Sequence, residues 1–275
     1  MNKTSTKGLT FLQRLMGLIL LMGIFLAPVF SQGVDEQSSA STYASYSGQT
    51  VPLSPIVAST SWVAAMARAA GVKEITVLAP IELRHPPEYD FRPGDIIAAT
   101  QAQWIIWAGY EGFIKNLIAA AQINQEKVIL ATTNNTPPVV RESVRKLAQQ
   151  LDTLDSFPLW EKELNLLEAE MTAGMQASGS IGSKAAVQFH HQALATWLGY
   201  EVVYVFGPGE LTMTQLQEIE ALQPVIIIDN WHMAQGEPLR KEGRRYVQLI
   251  NFPGAYGTQS ILDVLRYNAG VLGIL

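Results

Sequence analysis

The sequence predicts an α/β protein in which two regions of parallel sheet are joined by a long helical segment. Short apolar segments alternate with helical segments over residues 51–138 and again over residues 184–275, as is typical of βαβ units. Residues 139–183 instead have helical periodicity. Apolar side chains share one helical face there, at Trp160, Leu164, Leu167 and Met171. Hydrophobic residues make up 48% of the chain, enough to build a sizeable core.

The elements of the first region follow from apolar runs and from the residues that interrupt them. A helix over residues 60–70 has Ser59 or Thr60 as a cap, and Gly71 ends it. A proline-rich loop occupies residues 80–93, and Gly109 ends the third strand. The predicted strands are 51–58, 74–79, 104–107 and 128–131, and the further helices are 95–100 and 111–121.

The same signals predict the elements of the linking segment and of the second region. Two helices are predicted over residues 139–151 and 159–177, and a Gly/Ser break at 178–183 separates them from the next strand. Gly199 ends the first helix of the second region. The predicted strands are 185–189, 201–206, 225–228 and 246–250, and the helices are 191–198, 214–222 and 260–275.

The N-terminus has the features of an export signal. Lys3, Lys7 and Arg14 precede a largely apolar run over residues 15–30, and small residues stand before Gln32. The run is shorter than the roughly 20 residues that span a bilayer. We predict a cleaved signal over residues 1–31, with a retained membrane anchor as the alternative. Residues 32–50, rich in Ser and Gly, predict a flexible leader, so the expected location is the periplasm.

Composition excludes several classes of function. The chain has no cysteine, which excludes disulfides, cysteine-ligated zinc and a thiol nucleophile. A net charge of −5, with one short basic patch at residues 240–245, argues against nucleic-acid binding. No G-x-S-x-G, H-E-x-x-H or P-loop motif occurs, so we predict that the protein is not an enzyme. A hydrolytic metal site built on His190, His191 and Asp229 is the enzyme alternative.

The order of these segments resembles a known family. Residues 56–77 (IVASTSWVAAMARAAGVKEITV) and 87–117 match the opening of the ZnuA/TroA-like cluster of substrate-binding proteins from zinc and manganese ABC transporters. Residues 199–228 and 247–275 match its second lobe. The resemblance implies two lobes joined by one long backbone helix, with a metal-binding cleft between them. It also implies a monomer that delivers zinc or manganese to a permease in the inner membrane.

The family holds its metal with three histidines and a carboxylate, and the first two positions differ in this sequence. The first aligns with Pro87, so His85, two residues earlier, is the candidate ligand, with Glu88 beside it. Where the second histidine is expected, the sequence has a polar turn before Pro137. Asn135 is the candidate there, and a turn that caps the following helix is the structural alternative.

The third and fourth positions also differ. The third aligns with Gln188, so the candidate is His190 or His191, of which one can face the cleft. At the fourth, Asn251 stands in place of an acidic residue. Asp229 ends the preceding strand at another acidic position and is also a candidate, because open α/β sheets bind ligands beyond the carboxyl ends of their strands.

Three interpretations of this ligand set remain open. The shifted side chains bind bare zinc or manganese. Alternatively, the cleft binds a metal chelate or another small solute through hydrogen bonds and aromatic side chains, with Trp62, Tyr89, Tyr110 and Trp231 as candidates. The third interpretation is an orphan envelope protein with a degenerate metal site.

Overall fold

The computed structural model describes residues 55–80, 83 and 88–275, which belong to one compact unit. The predicted signal, the predicted leader and His85 lie outside the described residues. Within that part of the chain, no helix is both long and apolar enough to cross a bilayer.

The first lobe contains a four-stranded parallel sheet with the order β2-β1-β3-β4. Thr60 caps the first helix by accepting a hydrogen bond from the Val63 amide, as the sequence predicts. The elements are β1 (Ile56–Ala58), α1 (Ser61–Ala69), β2 (Thr76–Val77), α2 (Pro93–Gln101), β3 (Trp104–Trp107), α3 (Gly112–Ala120) and β4 (Val128–Leu130).

Two helices connect the lobes. The first, α4 (Pro137–Gln150), begins with two prolines, which suit the first turn because its amides have no partner within the helix. The second, α5 (Phe157–Ser178), ends at Gly179, whose left-handed φ of 66° supplies the terminating turn. The predicted apolar stripe of α5 is confirmed, since Leu164, Leu167 and Met171 are fully buried.

The second lobe repeats the topology of the first, with the parallel order β6-β5-β7-β8. The elements are β5 (Lys184–Gln188), α6 (Gln192–Trp197), β6 (Glu201–Phe206), α7 (Met213–Leu222), β7 (Ile226–Asn230), β8 (Arg245–Leu249), β9 (Pro253–Tyr256) and α8 (Ile261–Val271). The α/β fold with two parallel sheets, predicted from the sequence, is confirmed.

The main hydrophobic core runs through both lobes. It includes Val63 of α1, Leu167 of α5, Val187 of β5 and Leu265 of α8. Smaller clusters cover the opposite faces of the two sheets. The inner faces of the two lobes therefore share one core within a single compact unit.

The structure differs from the sequence prediction at two helix bounds and at one strand. The last helix ends at Val271, since Gly273 takes a left-handed φ of 67° that no α-helix continues. The helix predicted from His191 begins at Gln192, after a 3₁₀ turn over Phe189–His191. The short strand β9 was not predicted, because Gly254 and Pro253 are uncommon in strands.

Candidate ligand cleft

A cavity of about 880 Å³ lies at the carboxyl ends of both sheets. Its walls are the segments that follow β1, β3 and β4 in the first lobe and β5, β7 and β8 in the second, together with α6. Parallel α/β sheets bind ligands at this edge. The volume falls within the roughly 300–1,000 Å³ typical of small-molecule sites.

Strand alternation in β7 decides which side chain faces the cavity. Ile226 and Ile228 pack into the core between the lobes, while Ile227 packs into the cluster on the opposite face. Because side chains alternate along a strand, Asn230 lies on the cavity side and Asp229 on the other. Asn230 lines the cavity, whereas Asp229 does not.

Asp229 organises the turn beyond β7. It is fully buried. Its carboxylate accepts hydrogen bonds from the amides of Asn230 (2.8 Å), Gln235 (3.2 Å) and Gly236 (2.8 Å). The Tyr246 hydroxyl donates a fourth, at 2.6 Å. Burial, and then this contact with Asp229, raises the pKa of the Tyr246 hydroxyl, which therefore stays protonated as the donor.

Two imidazoles line the cavity, His190 after β5 and His232 after β7. His190 Nδ1 lies 3.1 Å from Gln188 Oε1, and this amide oxygen can only accept, so Nδ1 carries the proton and Nε2 the lone pair. His232 lies on the ring of Phe252, with 3.6 Å between the ring centroids. Its Nδ1 accepts a long hydrogen bond of 3.5 Å from the Asn251 amide. A metal-ligating histidine usually donates its other ring N–H to an acceptor, as His190 does to Gln188. The Asn251 amide instead places the His232 lone pair on Nδ1, so the neutral ring carries its proton on Nε2.

His191 points away from the cavity into the core. It is fully buried, and neither ring nitrogen has a hydrogen-bond partner of standard geometry. Burial, reinforced by the neighbouring His190, lowers its pKa to about 3, and a weak contact with the Leu249 backbone opposes this without reversing it. His191 is therefore neutral at physiological pH.

This burial predicts an acid-sensitive fold. Between about pH 6.5 and pH 3 the unfolded chain protonates His191 and the folded chain does not, so stability falls as the pH falls. Lowering the pH from 7.5 to 5 should remove about 2 kcal/mol through this residue alone. The measurement is urea unfolding at both pH values for the wild type and His191→Leu. The variant should lose about 2 kcal/mol less than the wild type, whereas equal losses would contradict the burial of a neutral imidazole.

The other predicted site residues divide into three groups. Asn135 and Asn251 line the cavity, Glu88 is exposed and does not, and His85 lies outside the described residues. Among the described residues, no three His, Asp or Glu side chains are grouped so that they could hold one metal ion. The polar side chains that line the cavity are amides, hydroxyls, the Trp62 indole and the two imidazoles.

Of the four aromatic candidates, two line the cavity and two do not. Trp62 and Tyr110 line the cavity. Tyr89 instead donates a hydrogen bond to Asp95 and packs against Phe113, and Trp231 packs against His232 and Tyr256. The aromatic cavity residues Phe189, Trp197 and Phe252, and the imidazole His232, are not among the residues predicted from the sequence to line the site. For His232 a sequence signal exists, since it lies three residues after Asp229 at the end of a predicted strand.

Three polar atoms of cavity-lining side chains are buried without a hydrogen-bond partner. They are Trp62 Nε1, Asn230 Nδ2 and Asn251 Oδ1. Buried polar atoms are seldom left unsatisfied in folded proteins, so such atoms in a cavity wall indicate water or a ligand that completes them.

The chain forms two α/β lobes around a ligand-sized cavity, and solved structures with this two-lobed fold are similar to it. Laminin-binding protein Lmb of Streptococcus agalactiae, described as a bifunctional protein with adhesin and metal-transporting activity, matches with a TM-score of 0.62 and 17% identity. The match covers 80% of this chain and 99% of that one.

Two further structures support the same assignment of fold. The periplasmic zinc-binding protein TroA from Treponema pallidum matches with a TM-score of 0.62 and 12% identity, over 80% of this chain and 98% of that one. Laminin-binding protein Lbp of Streptococcus pyogenes matches with a TM-score of 0.60 and 18% identity, over 79% and 96%. No protein-family model and no curated protein matches the sequence. The resemblance to the TroA-like group is thus confirmed for the fold.

Proposed function

We propose that this chain is an extracytoplasmic solute-binding protein that captures a divalent transition metal, zinc or manganese, and delivers it to an ABC permease. The supporting observation is that His190 and His232 line one cavity between two lobes that have the fold of metal-binding proteins. In this proposal the protein is a monomeric periplasmic carrier and not an enzyme.

The geometry favours particular roles for the candidate ligands. His190 is preferred over His191 because it lines the cavity, whereas His191 is buried in the core. Asn251 and Asn135 supply amide oxygens, which are weaker donors than carboxylates. Asp229 has a structural role in the turn beyond β7. His85 stays a predicted ligand, and Glu88 is a weaker candidate because it does not line the cavity.

A second candidate function is the binding of a metal chelate or another small solute. One observation favours it: among the residues that the structure describes, no Asp or Glu lines the cavity. Bare divalent ions are usually held with the help of carboxylates or thiolates, and the chain has no cysteine.

Metal capture predicts stabilisation by transition metals. The chain, purified without tags or chelators, should contain zinc or manganese by elemental analysis. After its metal is removed, added Zn²⁺ or Mn²⁺ at 100 times the dissociation constant should stabilise the fold by about 2.7 kcal/mol. Ca²⁺ is the control, because it prefers clusters of oxygen ligands. A chain without retained metal, whose melting temperature no transition metal changes, would contradict the proposal.

A further inference from the structure

The hydrogen-bond donors in the cavity wall restrict what the cavity can bind. Asn230 Oδ1 accepts the His232 amide at 2.9 Å, which fixes the orientation of the side-chain amide. The group left without a partner is therefore the NH₂ group, a donor. Trp62 Nε1 is also without a partner, and an indole nitrogen can only donate.

A bare metal ion cannot satisfy these donors. A cation offers no lone pair, and the positive end of an N–H dipole repels it. A cargo that completes Asn230 and Trp62 must therefore have hydrogen-bond acceptors. Carboxylate oxygens are among the strongest acceptors that a small metabolite carries, because hydrogen bonds to a charged acceptor are roughly twice as strong as neutral ones.

The charge of the cavity wall also favours a cargo that carries carboxylates. Across the described residues, no Asp, Glu, Lys or Arg lines the cavity. A divalent ion enclosed by imidazoles and amides would keep its full double charge, and burying uncompensated charge is costly. Carboxylates carried by the cargo itself would cancel that charge.

The size of the cavity agrees with a chelated ion. A bare ion and its donor atoms require ligands within about 2–2.6 Å of the metal. A cavity of about 880 Å³ is far larger than such a centre. Apolar faces of Phe189, Trp197 and Phe252 also line it, and these can contact the carbon skeleton of an organic molecule.

We propose that the cavity binds the divalent metal as a complex with a small carboxylate-bearing chelator, with His190 facing the metal and Asn230 and Trp62 donating to the chelator. This inference rests on the proposed function, because it specifies the form in which the metal is captured.

The test compares two forms of zinc by isothermal titration of the purified chain. Zinc citrate should bind the wild type at least about tenfold more tightly than Zn²⁺ added as the acetate, and citrate alone should bind most weakly. Asn230→Asp keeps Oδ1 as the acceptor for His232 but replaces the NH₂ donor with a negative oxygen. It should weaken zinc citrate binding at least about tenfold and strengthen binding of Zn²⁺.

Asn124→Asp is the matched control. Asn124 Oδ1 also accepts a hydrogen bond from the amide two residues ahead, that of Glu126, at 3.0 Å. Asn124 is exposed and lies away from the cavity. This variant should leave both affinities within about twofold. Tighter binding of bare Zn²⁺ than of zinc citrate, an unchanged ratio of the two in Asn230→Asp, or equal binding of citrate with and without zinc would overturn the inference. Failure of every zinc and manganese form to bind, bare or as the citrate, would instead overturn the proposed function.

Discussion

Replacing His190 and His232 together by alanine should weaken zinc binding at least about 100-fold, whether zinc is offered bare or as the citrate complex. Both imidazoles line the cavity. Loss of a residue that merely supports a metal ligand already reduces metal affinity about 10- to 100-fold, so loss of the ligand His190 together with the second cavity imidazole should exceed that range. Titration calorimetry on the purified variant and the wild type measures the effect.

His191→Leu is the matched control for this double substitution. It removes the imidazole next to His190 in the sequence, but one that is buried in the core. Zinc affinity should stay within about threefold of the wild type. Loss of zinc binding in His191→Leu, with binding retained in the double variant, would contradict the assignment of His190 to the cavity.

Asp229→Ala should destabilise the folded chain by about 3 kcal/mol or more. The substitution removes the acceptor for three backbone amides and the Tyr246 hydroxyl in a buried turn. Each buried donor left without a partner costs roughly 1–3 kcal/mol. Unfolding in guanidinium chloride, measured without metal, gives the change in free energy. Asp155→Ala, which removes an exposed carboxylate, should change it by less than about 0.5 kcal/mol.

Asp229→Ala also shows whether Asp229 has a structural role or is a metal ligand. If Asp229 were a metal ligand, its removal would abolish zinc binding and leave the stability of the metal-free chain nearly unchanged. The structure predicts the reverse at a temperature where the variant stays folded: a large loss of stability, with zinc affinity reduced less than in the double histidine variant.

The fold was largely predictable from the sequence because its signals are local. The predicted bounds of Trp104–Trp107 and Glu201–Phe206 agree with the structure. Glycines or helix signals close to the ends of these strands mark where each strand begins or ends. The stripe at Leu164, Leu167 and Met171 marked the long helix, because a 3.6-residue period over many turns rarely has another explanation. The wrong helix bounds near His191 and Gly273 depend on single backbone angles, which composition does not determine.

The site was harder to predict because it depends on which way neighbouring side chains point. The sequence placed candidates at His190 or His191 and at Asp229 beside Asn230, but a shift of one residue reverses the face of a strand. The register of β7 against β5 places Asn230 rather than Asp229 at the cavity. His190 and His191 both lie in the 3₁₀ turn that follows β5, and only His190 lines the cavity.

In the proposed function, the cavity between the lobes holds the metal. Anomalous diffraction from crystals of the zinc-loaded chain locates the metal. We expect a zinc peak inside the cavity, with a nitrogen of His190 about 2.0–2.1 Å from it. A zinc peak at Asp229 or on the outer surface, with no zinc in the cavity, would contradict it.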